Sequence, residues 1–139
     1  MPSADVPPDV ARFLAAHVDS VADLEILLYL RAHPLVEWDG RALADLLGMP
    51  RDTADAILLK LHESGIARNG EQSTQLYRYA PLSAATETVI DQLAAVCDQH
   101  KFAVVAQILA NQANASLRSF SDAFRIRPAS RAATPGRDT

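Results

Sequence analysis

WDGRALADLLGMPRDTADAILLKLHESG, residues 38–65, decides the fold. Asp39 is placed to cap a first helix, its carboxylate accepting amide protons that the opening turn leaves free. Trp38 before the cap and Leu43 after it fit a hydrophobic staple. Leu43, Ala44, Leu46 and Leu47 give that helix an apolar stripe, and Gly48 suits a left-handed stop. Pro50 has no amide proton and is tolerated only near a helix start. A second helix is therefore predicted from about Arg51 to Ser64. Its Ala54, Ile57, Leu58 and Leu61 recur at three- and four-residue spacing, which makes one buried face. Gly65 ends it. A short helix, a glycine-containing turn, a second helix and a glycine stop read as a helix-turn-helix.

The residues that follow read as a hairpin. Ile66 to Asn69 and Gln75 to Tyr79 are two short extended runs, with the polar turn Asn69-Gly70-Glu71-Gln72-Ser73-Thr74 between them. This hairpin is the candidate wing. Leu76 is expected to face the core and Tyr77 and Tyr79 the other side. Upstream, Ser20 or Asp19 caps a helix that runs to about Ala32, with Ser20 and Asp23 spaced as in a capping box. Val21, Leu24, Leu27, Leu28 and Leu30 wrap much of its circumference, so it is expected at the centre of the core. His33-Pro34 ends it, and Leu35 to Glu37 add a possible short strand. Before it, residues 1–8 read as a loose tail, and Asp9 to Val18 as a short helix with Val10, Phe13, Leu14 and Val18 on one side.

Pro81 closes the central unit. Ser83 then caps a long helix, from about Ala84 to Ala115. Val89, Leu93, Val96, His100, Val104 and Ile108 form one stripe along it, thickened by Ile90, Cys97, Phe102, Val105 and Leu109. That is more apolar surface than one small domain usually covers, so Val89, Leu93, Val96, Val104 and Ile108 are expected to pair with a second copy. Ser119 to Arg127 looks like one more short amphipathic segment, with Phe120, Phe124 and Ile126 as its docking residues. The organisation expected is a tail and short helix over 1–19, a central unit over 20–82, a pairing region over 83–127 and a disordered tail over 128–139.

With 139 residues and 49% hydrophobic content, the chain can bury a real core and is not a disordered protein. The single Cys97 cannot make an internal disulfide, which fits a reducing cytoplasm. Four scattered histidines and one cysteine show no metal-ligand spacing. No apolar run reaches the ~18 residues of a membrane span, and the N-terminus lacks the basic and apolar regions of a signal peptide. No Gly-rich phosphate loop, paired carboxylates or nucleophile with a base is visible, so neither an enzyme nor a cofactor is expected. Residues 1–82 hold seven Lys/Arg against twelve Asp/Glu, a net of −5, and residues 83–139 hold six against five. Duplex DNA binding usually needs a basic footprint, and the central unit is acidic.

The chain resembles bacterial winged-helix proteins of the MarR type over about residues 20–81. The resemblance rests on SVADLEILLYL as a first helix, LADLLGMPRDTADAILLKLHESGIA as the helix-turn-helix and ARNGEQSTQLYRYAP as the wing. DSVADLEILLYL, the Trp in EWDG and the late FSDAFRIR also resemble a recurring group of small bacterial winged-helix proteins. The resemblance implies a mainly α fold, a winged helix-turn-helix with a short β-hairpin wing and a long C-terminal helix. It further implies dimerisation and duplex DNA binding by a regulator of transcription.

In such folds the second motif helix enters the major groove with its N-terminal outer positions toward base edges. Here these are Arg51, Asp52, Asp55, Ala56 and Leu59. Arg51 suits a bidentate contact to guanine. Asp52 and Asp55 repel phosphate and instead suit the positive end of the helix dipole. The DNA contacts expected are Arg51, Thr53, Lys60, Arg68 and Arg78, with Arg41 as a further one. The competing reading is a protein-interaction module, with Asp52, Asp55, Ala56 and Leu59 facing a partner protein.

Overall fold

The computed structural model describes residues 6–133, and side chains as far as Arg118. The fold is mainly helical. In chain order it comprises α1 (Pro8–His17), α2 (Val21–Ala32), α3 (Gly40–Leu47), α4 (Arg51–Glu63), β1 (Ala67–Asn69), β2 (Tyr77–Tyr79) and α5 (Ala84–Ala133). No helix among the described residues is long and apolar enough to cross a membrane.

Local chemistry sets most of the boundaries. The Asp39 carboxylate accepts from the Ala42 amide at 2.8 Å and caps α3, and Gly48 ends that helix at φ 72°. Gly65 (φ 78°) ends α4 in a Schellman motif, its amide reaching the His62 carbonyl at 3.1 Å while Ile66 reaches Leu61 at 2.9 Å. Ser20 caps α2 by accepting from the Asp23 amide at 3.3 Å. The reciprocal half of the box lands one residue early: Asp23 accepts from Asp19, at 2.8 Å.

β1 and β2 pair antiparallel, Ala67 with Tyr79, Arg68 with Arg78 and Asn69 with Tyr77. The strand expected over Leu35–Glu37 is not formed. A turn at Pro34–Leu35 leaves Leu35 94% exposed, and a single bridge joins Trp38 to Tyr77 through two 2.7 Å hydrogen bonds. The inward face of the hairpin also differs from the expectation. Tyr79 sits beside Ala67 in the core, Tyr77 packs against it, and Leu76, ahead of the paired residues, is only half-buried.

Around α2 lies one continuous core, from Val6 to Ile108. α4 buries Ala54, Ile57, Leu58 and Leu61, as its spacing predicts. α1 buries Val10, Phe13 and Leu14 and packs on α5, so neither the 1–19 segment nor the start of α5 stands apart as a separate unit. α5 leaves helical geometry at His100 (φ −138°, ψ 49°), so it is two helical runs joined at a kink. Its stripe turns inward rather than toward a second copy. Leu93, Val104 and Ile108 are fully buried in this chain's own core, with Val89 and Val96 partly buried against it. The helix continues past Pro128 to Ala133, where a tail is expected from the composition; the docking expected of Phe120, Phe124 and Ile126 lies outside the described side chains.

Candidate nucleic-acid interface

α3 and α4 pack on each other across the turn Gly48-Met49-Pro50. Leu43 and Ala44 of α3 and the four core residues of α4 face inward together. The N-terminal outer positions of α4 are left in solvent: Arg51, Asp52, Asp55 and Ala56 are exposed, and Leu59 is 47% exposed.

Asp55 has a place in the fold. A methyl built on Gly40 would stand 1.7 Å from its Oδ1, so the carboxylate lies directly over the first residue of α3. That is the positive end of the α3 dipole. Its other oxygen is 3.6 Å from Arg51 Nε. Both partners of this pair are largely exposed, which limits its worth to ~0–1 kcal/mol. Arg51 therefore remains available to a competing anion.

Lys60 does not. Its ammonium bridges Asp19, at 3.0 Å, and Asp23, and so ties α4 to the start of α2. The Asp23 side chain is 5% exposed and also accepts from the Ser20 hydroxyl and the Asp19 amide. Burial draws the Lys60 pKa down, but the hydrogen bonds and charges of Asp23 and Asp19 outweigh it and leave the pKa above its ordinary value. Expected from the sequence as a DNA contact, Lys60 is instead the counter-ion of a buried carboxylate. Thr53 is half-buried and lines the cleft above it with Asp52, Ala56 and Ile57.

Arg68 and Arg78 meet across the hairpin as a directly opposed pair. Neither guanidinium forms an ion pair among the described residues. Like charges directly opposite destabilise a strand pair, so this placement calls for an anion. Arg78 borders a second cleft with Arg31, Tyr79, Glu87 and Asp91, where Arg31 and Asp91 bridge α2 to α5 at 3.0 Å. Tyr79 Oη and Trp38 Nε1 are buried with no hydrogen-bond partner among the described residues. Desolvation raises the Tyr79 pKa to about 12, with Asp91 and Glu87 adding to the rise and Arg31 opposing it.

The sequence reading missed the Asp19–Lys60–Asp23 bridge. Its one local signal was Asp23, an acid near the start of a largely apolar helix, which the capping box explained too well. No group of histidine, cysteine and acidic residues that could hold a metal ion occurs among the described residues. Burial raises the Cys97 thiol pKa, with Lys101 opposing and Asp98 adding, so the thiol is not primed as a nucleophile. Comparison with protein-family models, with curated proteins and with solved structures gives no match to this chain.

Proposed function

We propose that residues 20–82 are a winged helix-turn-helix and that the protein binds duplex DNA as a regulator of transcription. α4 is the helix offered to the major groove and the β1–β2 hairpin is the wing. One observation carries the reading: α3, the tight turn, α4 and the hairpin follow one another in chain order, with the start of α4 exposed and Arg68 and Arg78 opposed on the hairpin without an ion pair among the described residues. Arg51 reads a base edge, and Arg41, Arg68 and Arg78 hold phosphates. Lys60 takes no part, because it holds α4 in place.

The test is binding to random genomic duplex fragments across a salt series. Three phosphate contacts at about −0.9 each give a log–log salt slope of about −2.7 per copy. Arg78→Ala should make the slope shallower by about 0.9 and weaken all sequences alike. Arg51→Ala should relax preference at one base pair, a loss of ~1–3 kcal/mol of discrimination. No binding at low salt would sink this reading.

A second reading is favoured by the outward face of α4, where Asp52, Asp55, Ala56 and the 47% exposed Leu59 stand together and Leu46 of α3 is 53% exposed. This is a surface for a partner protein with an apolar and basic face. In that case DNA is ignored at moderate salt, and Leu59→Asp abolishes partner binding.

A further inference from the structure

The open cleft between the end of α2, β2 and the start of α5 holds about 620 Å³. Tyr79, on its wall, is 9% exposed, and its hydroxyl is buried with no hydrogen-bond partner among the described residues. Leaving a buried hydroxyl unpaired is costly, and such a group calls for an explanation. The charges that act on this phenol are those of Asp91, Arg31 and Glu87. All three line the same cleft, so the phenol belongs to that wall.

The charges of the cleft are only partly matched. Arg31 reaches Asp91 with Nε and Nη2, both at 3.0 Å and both on Oδ1. The second oxygen of Asp91 is left over. Glu87 is exposed, and its carboxylate forms no ion pair among the described residues. Around the phenol, Asp91, Glu87 and Arg31 therefore sum to one negative charge. Arg78 brings one positive charge to the same cleft, yet it is not among the charges that act on the phenol. Arg78 and Glu87 share the cleft without pairing, so its negative and positive ends stand apart. Pro34 and Pro81 add apolar wall.

We propose that this cleft binds a small zwitterion, a molecule with one ammonium and one carboxylate such as a free amino acid. Its ammonium donates to the Tyr79 hydroxyl oxygen and to the free oxygen of Asp91, and the phenol O–H turns to the carboxylate of Glu87. Glu87 is exposed, so it can turn aside to admit the ligand. The ligand carboxylate meets the Arg78 guanidinium in a charge-assisted pair. An amine alone would leave Arg78 unmatched, and an anion alone would face Glu87 and Asp91. A metal ion fits less well: no group of histidine, cysteine and acidic residues that could hold one occurs among the described residues, and Arg31 already takes one oxygen of Asp91. The site stands whether or not the hairpin meets DNA.

The test is calorimetric titration of the full chain, without DNA, with leucine, 4-aminobutyrate, butylamine and butyrate. At least one of the two zwitterions should bind, with butylamine about tenfold weaker and butyrate weaker still. The amide signals of Arg31, Ala32, Tyr79 and Glu87 should shift as it does. Glu87→Gln and Tyr79→Phe should each weaken the zwitterion about tenfold. Arg78→Ala should bring the zwitterion down to the affinity of butylamine. All three variants should keep the circular dichroism of the parent chain. Binding by neither zwitterion at about 10 mM would overturn the proposal. So would butylamine binding as tightly as the zwitterions, or zwitterion binding that Arg78→Ala and Glu87→Gln leave unchanged.

Discussion

At the scale of single residues, two buried polar groups set the chemistry of the fold. Asp23 is deeply buried, and Lys60, about a third exposed, neutralises it. Breaking a buried pair usually costs ~3–5 kcal/mol. The cost here is lower, because part of Lys60 is in water and Asp23 keeps the Ser20 hydroxyl and the Asp19 amide as donors. Lys60→Met should therefore destabilise by about 2 kcal/mol in urea unfolding, without a change in the slope. Loss of DNA binding with stability intact would instead make Lys60 a contact.

The pH dependence has a definite sign. The raised pKa of Lys60 means its contribution is whole below the unfolded value of about 10.4 and is lost as pH rises past the folded one. Tyr79 acts in the same direction, since its folded pKa of about 12 lies above the unfolded value near 10. Stability should fall as pH rises above about 10. Tyr79→Phe removes a hydroxyl that is buried without a partner, so it should leave neutral-pH stability unchanged or raise it by up to ~1 kcal/mol, and it should flatten part of the alkaline decline. A loss of more than that would reveal a hydrogen bond to the phenol.

At the scale of elements, stops and faces were legible and destinations were not. Asp39, Gly48 and Gly65 act on amides and carbonyls within a few residues, so local pattern finds them. Gly65 is the sharpest case, because its left-handed φ costs a side chain ~1–2 kcal/mol and a methyl would stand 3.0 Å from Leu82 Cδ1. Leu82 is 65% exposed and can yield. Gly65→Ala should thus lower stability by about 1–2 kcal/mol, measurable as a drop in the thermal midpoint. An unchanged midpoint would mean that the turn re-forms around another residue.

α5 shows the other case. Spacing says that Leu93, Val104 and Ile108 are buried, but not against what. No proline or glycine announces the kink at His100. The kink lets both runs of the helix turn toward this chain's core, and it leaves Phe102, Leu109 and Leu117 exposed. The candidate site divides in the same way. Arg51, Arg68 and Arg78 were found from position on a helix or strand. The capture of Lys60 by Asp23, 37 residues away, depends on how α2 and α4 pack.

At the scale of the whole molecule, the question is whether the first nineteen residues are an appendage or part of the core. Val6, Val10, Phe13, Leu14 and Val18 are all buried in the same cluster as Val104 and Ile108. α1 covers α5, and the Gln112 amide donates to the Asp19 carbonyl at 2.7 Å across the chain. At ~1.5–3 kcal/mol for each buried side chain, these five contribute on the order of 10 kcal/mol before the entropy of ordering α1 is set against it. That rivals the ~5–15 kcal/mol net stability of an ordinary domain. A chain beginning at Ser20 should therefore lose its cooperative thermal transition or bind a hydrophobic dye, even though it keeps α3, α4 and the hairpin. The full chain should melt in one transition, with amide protons of α1 and of the Val104–Ile108 turn exchanging at similar rates. If the shortened chain melted sharply near the full-length midpoint, the core would have to be two. α1 and the second run of α5 would then form a separate module resting on a self-sufficient central unit.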